Sequence, residues 1–103
     1  MEINIAQVCG EDVISRSAGE KIRELMLKHW DDPTLSLDFG DRLIGSVSFF
    51  DEAIGLLTKK GGKKPEEILN KLHFVRLKKE DRDLLNYVFA SRVKEWEGNS
   101  RKK

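Results

Sequence analysis

The densest chemical potential lies in RLIGSVSFFDE, residues 42–52. Ser46 and Ser48 stand where a helix is predicted to begin, and Asp51 and Glu52 follow within a turn or so. A serine at a helix start meets unpaired backbone N–H groups and the positive end of the macrodipole, which tolerate a phosphate. Phosphorylation there would add about −1.5 to −2 charge and repel an acidic partner surface. Ser46 and Ser48 are therefore candidate switch residues. A structural reading stands beside this one, because serine is a preferred N-cap and Ser48 with Asp51 has capping-box-like spacing. The adjacent Asp51 and Glu52 point about 100° apart on a helix, so they cannot face each other across a small pocket. That weakens two-carboxylate hydrolysis, which needs facing groups. They are expected to place negative charge in the first turn and to pair with Arg16 or Arg42. A further reading makes them a recognition pair for a partner's basic residues.

Elsewhere the chemistry thins. Asp38, Asp41, Asp51 and Glu52 are the candidate acidic cluster for an enzyme, but they lack a partnering base or metal set, so no catalytic residues are expected. His29 and His73 have no Cys or His at metal-ligand spacing, and no metal or cofactor is expected. Cys9 is the only cysteine, which excludes an intrachain disulfide and fits a reducing compartment. Lys59, Lys60, Lys63 and Lys64 flank Gly61 and Gly62 in a loop without the spacing of a Walker motif. With the basic tail Arg101, Lys102 and Lys103, this loop provides the alternative reading, a weak and salt-sensitive nucleic-acid contact. Against it, 19 basic and 18 acidic residues leave a net charge of only +1, whereas phosphate binding calls for a basic excess.

The 103 residues, 39% hydrophobic and 36% charged, suit one domain with one moderate core. The N-terminus lacks the basic and apolar regions of a signal peptide, and no apolar run approaches the roughly 20 residues of a membrane span. A soluble, cytoplasmic protein is expected.

The elements that must position the candidate residues follow from periodicity. Ile3, Ile5 and Val8 suggest a strand over 2–8, with a possible return arm at Val13 and Ile14. Ser17 and Glu20 have capping-box spacing before a helix whose inner face is Ile22, Leu25, Met26 and Trp30. Pro33 closes that helix. TLSLDF, residues 34–39, alternates as a strand. A second helix spans about 47–58 on Phe49, Phe50, Ala53, Ile54 and Leu57. Pro65 opens a short helix with Glu66 and Glu67 in its first turn, and residues 73–77 form a third strand. The last helix runs from about Glu80 to Trp96, with Gly98 ending it and residues 98–103 a disordered basic tail. Alternating strands and helices predict a largely parallel sheet. The amphipathic middle strand predicts helices mainly on one face.

Four pieces carry a family resemblance: SRS at 15–17, LDF at 37–39, SVSFFDEAIGLL at 46–57 and FVRLKKEDRDLLNYV at 74–88. They resemble the STAS-like domains of unknown function, small relatives of the anti-sigma-factor antagonist fold. The resemblance implies a single STAS-like α/β domain over 1–97, with a parallel or mixed sheet of three to five strands. It also implies a regulatory protein-interaction role, a histidine-kinase-like ATPase as partner class, and Ser46 at the position of the antagonists' phosphorylatable serine. Gly45 stands where those antagonists carry aspartate, and Val47-Ser48 where they carry a small residue and glycine. The working surface expected from all of this comprises Ser46, Ser48, Asp51, Glu52, Arg42 and Arg16.

Overall fold

In the computed structural model, which describes residues 1–101 and side chains through Gly98, the first strand is only three residues long. Strand β1, Glu2–Asn4, stops because the Asn4 side chain accepts the Gln7 amide at 3.0 Å and so caps helix α1, Ile5–Cys9. The strand predicted over 2–8 is corrected accordingly, and no return arm forms. Asparagine is a strong N-cap, and Ile5 and Cys9, four residues apart, bury on one helical face. An apolar run this short does not distinguish the two periods.

Helix α2, Arg16–Lys28, begins two residues earlier than the Ser17–Glu20 spacing predicts. Asp12 accepts both the amide and the hydroxyl of Ser15, which holds Ser15 extended. Its Oγ then accepts the Ala18 amide at 3.0 Å. Ile22, Met26 and Trp30 turn inward as the periodicity requires. Strand β2, Leu35–Asp38, sends Leu35 and Leu37 to the core. Helix α3, Val47–Ala53, is shorter than expected, and a 3-10 turn, Gly55–Leu57, completes the segment. Helix α4, Pro65–Lys71, and strand β3, Leu72–Val75, follow. Helix α5, Lys79–Arg101, passes through Gly98 rather than ending there. Glycine costs a helix only about 1 kcal/mol relative to alanine and does not break it. Lys102 and Lys103 of the expected tail lie outside the described residues.

The sheet is three-stranded and wholly parallel, in the order β1-β2-β3. Ile3, Leu37 and Phe74 lie in register across it on the inner face, as do Leu35 and Leu72. Against them pack Phe49 and Phe50, whose rings meet edge to face at 5.5 Å. Helices α2 and α3 cross closely at Gly19, where a Cβ would come within 2.7 Å of the Phe49 carbonyl oxygen. The opposite sheet face carries Glu2, Ser36 and His73 in one register row. Glu2 and His73 are exposed and Ser36 half-buried. The helices thus cover mainly one face. Among the described residues, no helix is long and apolar enough to cross a membrane.

Candidate functional site

The segment that carries the chain from β2 into α3 is fixed at two points. Gly45 takes a left-handed conformation, φ 60°, that favours glycine, and its amide donates to Asp81 Oδ1 at 2.8 Å. The Ile44 amide donates to Asp81 Oδ2 at 2.7 Å. Asp81 lies in the first turn of α5 and is fully buried, so it ties the start of α5 to the start of α3. Ser46 then caps α3: its Oγ accepts the Phe49 amide at 3.1 Å and donates to the Ile14 carbonyl at 2.6 Å. The hydroxyl is half-buried and engaged on both sides. Ser48 is half-buried in the first turn, and the capping box expected between Ser48 and Asp51 does not form, because the Asp51 carboxylate is held elsewhere.

Asp51 and Glu52 diverge, as their adjacency on a helix requires, and each finds its own arginine. Arg92 of α5 makes a two-point contact with Asp51, Nε and Nη2 each 2.7 Å from a carboxylate oxygen. Arg23 of α2 donates to the Glu52 carboxylate at 2.8 Å and to its backbone carbonyl at 2.6 Å. Arg16 reaches both acids from outside, at 3.4 and 3.3 Å. The hydrogen bonds from Arg92 hold the Asp51 carboxyl below its ordinary range, and those from Arg23 do the same for Glu52. Both acids remain ionised at neutral pH and serve as pins between α2, α3 and α5. The predicted pairing with Arg16 is present. Arg42 instead reaches the Glu11 carbonyl, at 3.4 Å.

Several large apolar side chains on the segments that meet at the start of α3 are exposed. Ile14, Leu43, Val47 and Tyr87 are 57, 50, 46 and 68% exposed. Ile14 is tied to Ser46 through its carbonyl, Leu43 lies beside Gly45, and Val47 follows the cap. Val47 and Tyr87 then line a groove of about 320 Å³ between α3 and α5, with Val88 and the Asp51–Arg92 pair also lining it.

The other candidates scatter. Cys9 is buried, its thiol directed to the Ala18 carbonyl and its pKa raised by desolvation, which disfavours the reactive thiolate. Asp38 is held by Arg76 across the ends of β2 and β3, away from Asp51 and Glu52. His73 lies on the open sheet face, and His29 terminates α2. In the lysine loop, Lys59 pairs with Glu95, and Lys63 stands 5.2 Å from the centre of the Trp30 ring. Among the described residues, no group of three or more His, Cys, Asp or Glu is arranged to hold a metal ion. Sequence reasoning missed Arg23, Arg92 and Asp81. Arg23 and Arg92 carry no local pattern that sets them apart from the other helix charges, and Asp81 is one of several acids at the start of α5. An acid within the first turn of a long helix was the only local signal for Asp81.

A small parallel sheet with helices mainly on one face, and a serine-capped helix after its central strand, defines a small α/β domain. The family model for STAS-like domains of unknown function (DUF4325) matches residues 18–82, from α2 to the start of α5. That is more than half of the chain, and the chain belongs to this family. No curated protein and no solved structure matches it.

Proposed function

We propose that this chain is a regulatory protein-interaction module whose docking surface is the start of α3, with Ser46 as its switch. The observation that carries the reading is a set of exposed apolar side chains, Ile14, Leu43, Val47 and Tyr87, on segments that meet at the start of α3. Exposed apolar groups gathered at one place mark interaction sites more often than the same groups scattered singly. STAS-like domains are generally protein-interaction modules, and a histidine-kinase-like ATPase is the partner class that the family resemblance implies. The two-sided hydrogen bonding of Ser46 supports a route for the switch. A phosphate on Oγ would remove the hydrogen that the hydroxyl donates to the Ile14 carbonyl and would set about −1.5 to −2 charge among the apolar groups. The surface would lose both its geometry and its apolar character, and the partner would leave.

No catalysis is part of this proposal. The nucleic-acid alternative has less support, since Lys59 and Lys63 are engaged by Glu95 and Trp30. Capture of partners from native cells by tagged wild type, Ser46→Ala and Ser46→Asp baits tests the reading. Partner recovery should fall about tenfold with Ser46→Asp and persist with Ser46→Ala. Equal recovery by all three removes the switch and leaves the docking surface in place. Loss with both substitutions makes Ser46 a structural cap alone.

A further inference from the structure

The α3–α5 groove has a charge pattern that selects its occupant. Tyr87 is the most exposed large apolar side chain among the described residues. Along α5, Asp83 lies one turn before it and Glu80 one turn before Asp83, at the i, i+3, i+7 spacing that puts all three on one stripe. Glu80 and Asp83 are exposed, and neither takes part in an ion pair among the described residues. Glu95, at the other end of the groove, shares Arg92 with Asp51. Arg82 falls about 140° round the helix from Tyr87, so it does not neutralise the stripe. Lys79 stands one turn before Asp83, about 40° round the helix, but forms no ion pair among the described residues, and Lys94 shares the stripe two turns beyond Tyr87, away from the acids. The groove therefore joins apolar Val47, Val88 and the open Tyr87 ring to the charged Asp51, Arg92 and Glu95, and the exposed Glu80 and Asp83 continue the Tyr87 stripe beyond its lining towards the N-terminus of α5.

We infer that the groove between α3 and α5 docks a basic amphipathic helix of a partner protein, with one bulky apolar anchor between Val47 and Tyr87 and an arginine or lysine against Glu80 and Asp83. This rests on the docking reading above and specifies the chemistry of its partner. The volume, about 320 Å³, lies at the lower end of the range of small-molecule pockets and accommodates one or two large side chains. A helix laid in a groove presents its anchors at i, i+3 and i+4, so basic residues one and two turns from the anchor meet Asp83 and Glu80, one and two turns from Tyr87.

The test uses the full chain, isotopically labelled, and three synthetic helical peptides. Each has the same central tryptophan and leucine anchors, flanked by arginines, by glutamines or by glutamates. The arginine peptide should bind most tightly, with amide shifts centred on Val47, Tyr87, Val88 and Ser91. The double substitution Glu80→Gln with Asp83→Asn should weaken it about tenfold and remove most of its salt dependence. Both positions are exposed, and circular dichroism checks that the variant stays folded. Equal binding of the three peptides, with shifts still in the groove, overturns the basic-partner assignment and leaves the docking surface standing. No shift in the groove with any peptide overturns the assignment and the docking surface together. Concentration-dependent doubling of mass in sedimentation, abolished by Tyr87→Ala, overturns it in favour of a second copy of this chain.

Discussion

Replacing Asp81 by asparagine perturbs the joint that holds the candidate surface in shape. The carboxylate accepts two backbone amides, Ile44 at 2.7 Å and Gly45 at 2.8 Å, from a fully buried position. Asparagine has one oxygen for two donors, and its NH₂ group would face the second amide. One charge-assisted hydrogen bond, about 1.5–3 kcal/mol, is lost and the other is reduced to a neutral one, so the expected cost is about 3 kcal/mol. At about 2.1 cal/mol/K per residue, a chain of this length has an unfolding entropy near 0.2 kcal/mol/K, so Tm should fall by roughly 14 °C. Thermal and urea unfolding followed by circular dichroism measure this. Hydrogen exchange at Ile44 and Gly45 shows whether the loss is local to the clamp. A cost below about 0.5 kcal/mol, with exchange at those amides unchanged, would refute the clamp as an energetic link between α5 and α3.

The other predictions concern packing and charge. Asp51→Asn strips Arg92 of its two-point partner at a site where the carboxylate is 11% and the guanidinium 23% exposed. A loss of about 2 kcal/mol is expected in urea unfolding, below that of a fully buried pair. Asp51 and Glu52 have depressed folded-state pKa values. Their stabilisation is therefore complete above the unfolded carboxylate range, about pH 5, and is lost as pH falls through the lower folded-state values. An acid titration of Arg92→Ala should show a shallower limb than wild type. Gly19→Ala and Gly98→Ala should move stability in opposite directions. The first forces a Cβ within 2.7 Å of the Phe49 carbonyl oxygen, while the second meets nothing within 4 Å. Denaturation should show a loss of about 1–2 kcal/mol for Gly19→Ala and a gain of about 0.5 kcal/mol for Gly98→Ala.

Periodicity made most of the architecture legible. The stripes of Ile22 and Met26, of Leu35 and Leu37, and of Phe49, Phe50 and Ala53 all face the core. Serine at the start of α3 was legible as a cap and was also the candidate switch, so one residue carried both readings. The errors arose where a single side chain decides between two local geometries. Asn4 converts an apparent strand into a capped helix, and Ser15 outcompetes Ser17 because Asp12 holds it. The ion network was half legible. Arg16 lies near a recognisable helix start, but Arg23 and Arg92 are 29 and 41 residues from their acids in sequence, and only the fold brings them together. The exposed apolar set was not legible at all, since Ile14, the Leu43–Val47 stretch and Tyr87 belong to three separate segments whose meeting depends on tertiary structure.

Site-specific photo-crosslinking in cells that make the protein tests the docking surface most directly. A photoreactive residue is placed at Val47 or Tyr87 and, for comparison, at Ser36 or His73 on the open sheet face. Discrete crosslinks to one partner protein from Val47 and Tyr87, absent from Ser36 and His73, are the predicted result. Crosslinks only from the sheet positions would contradict the account and move the working surface to the other side of the domain.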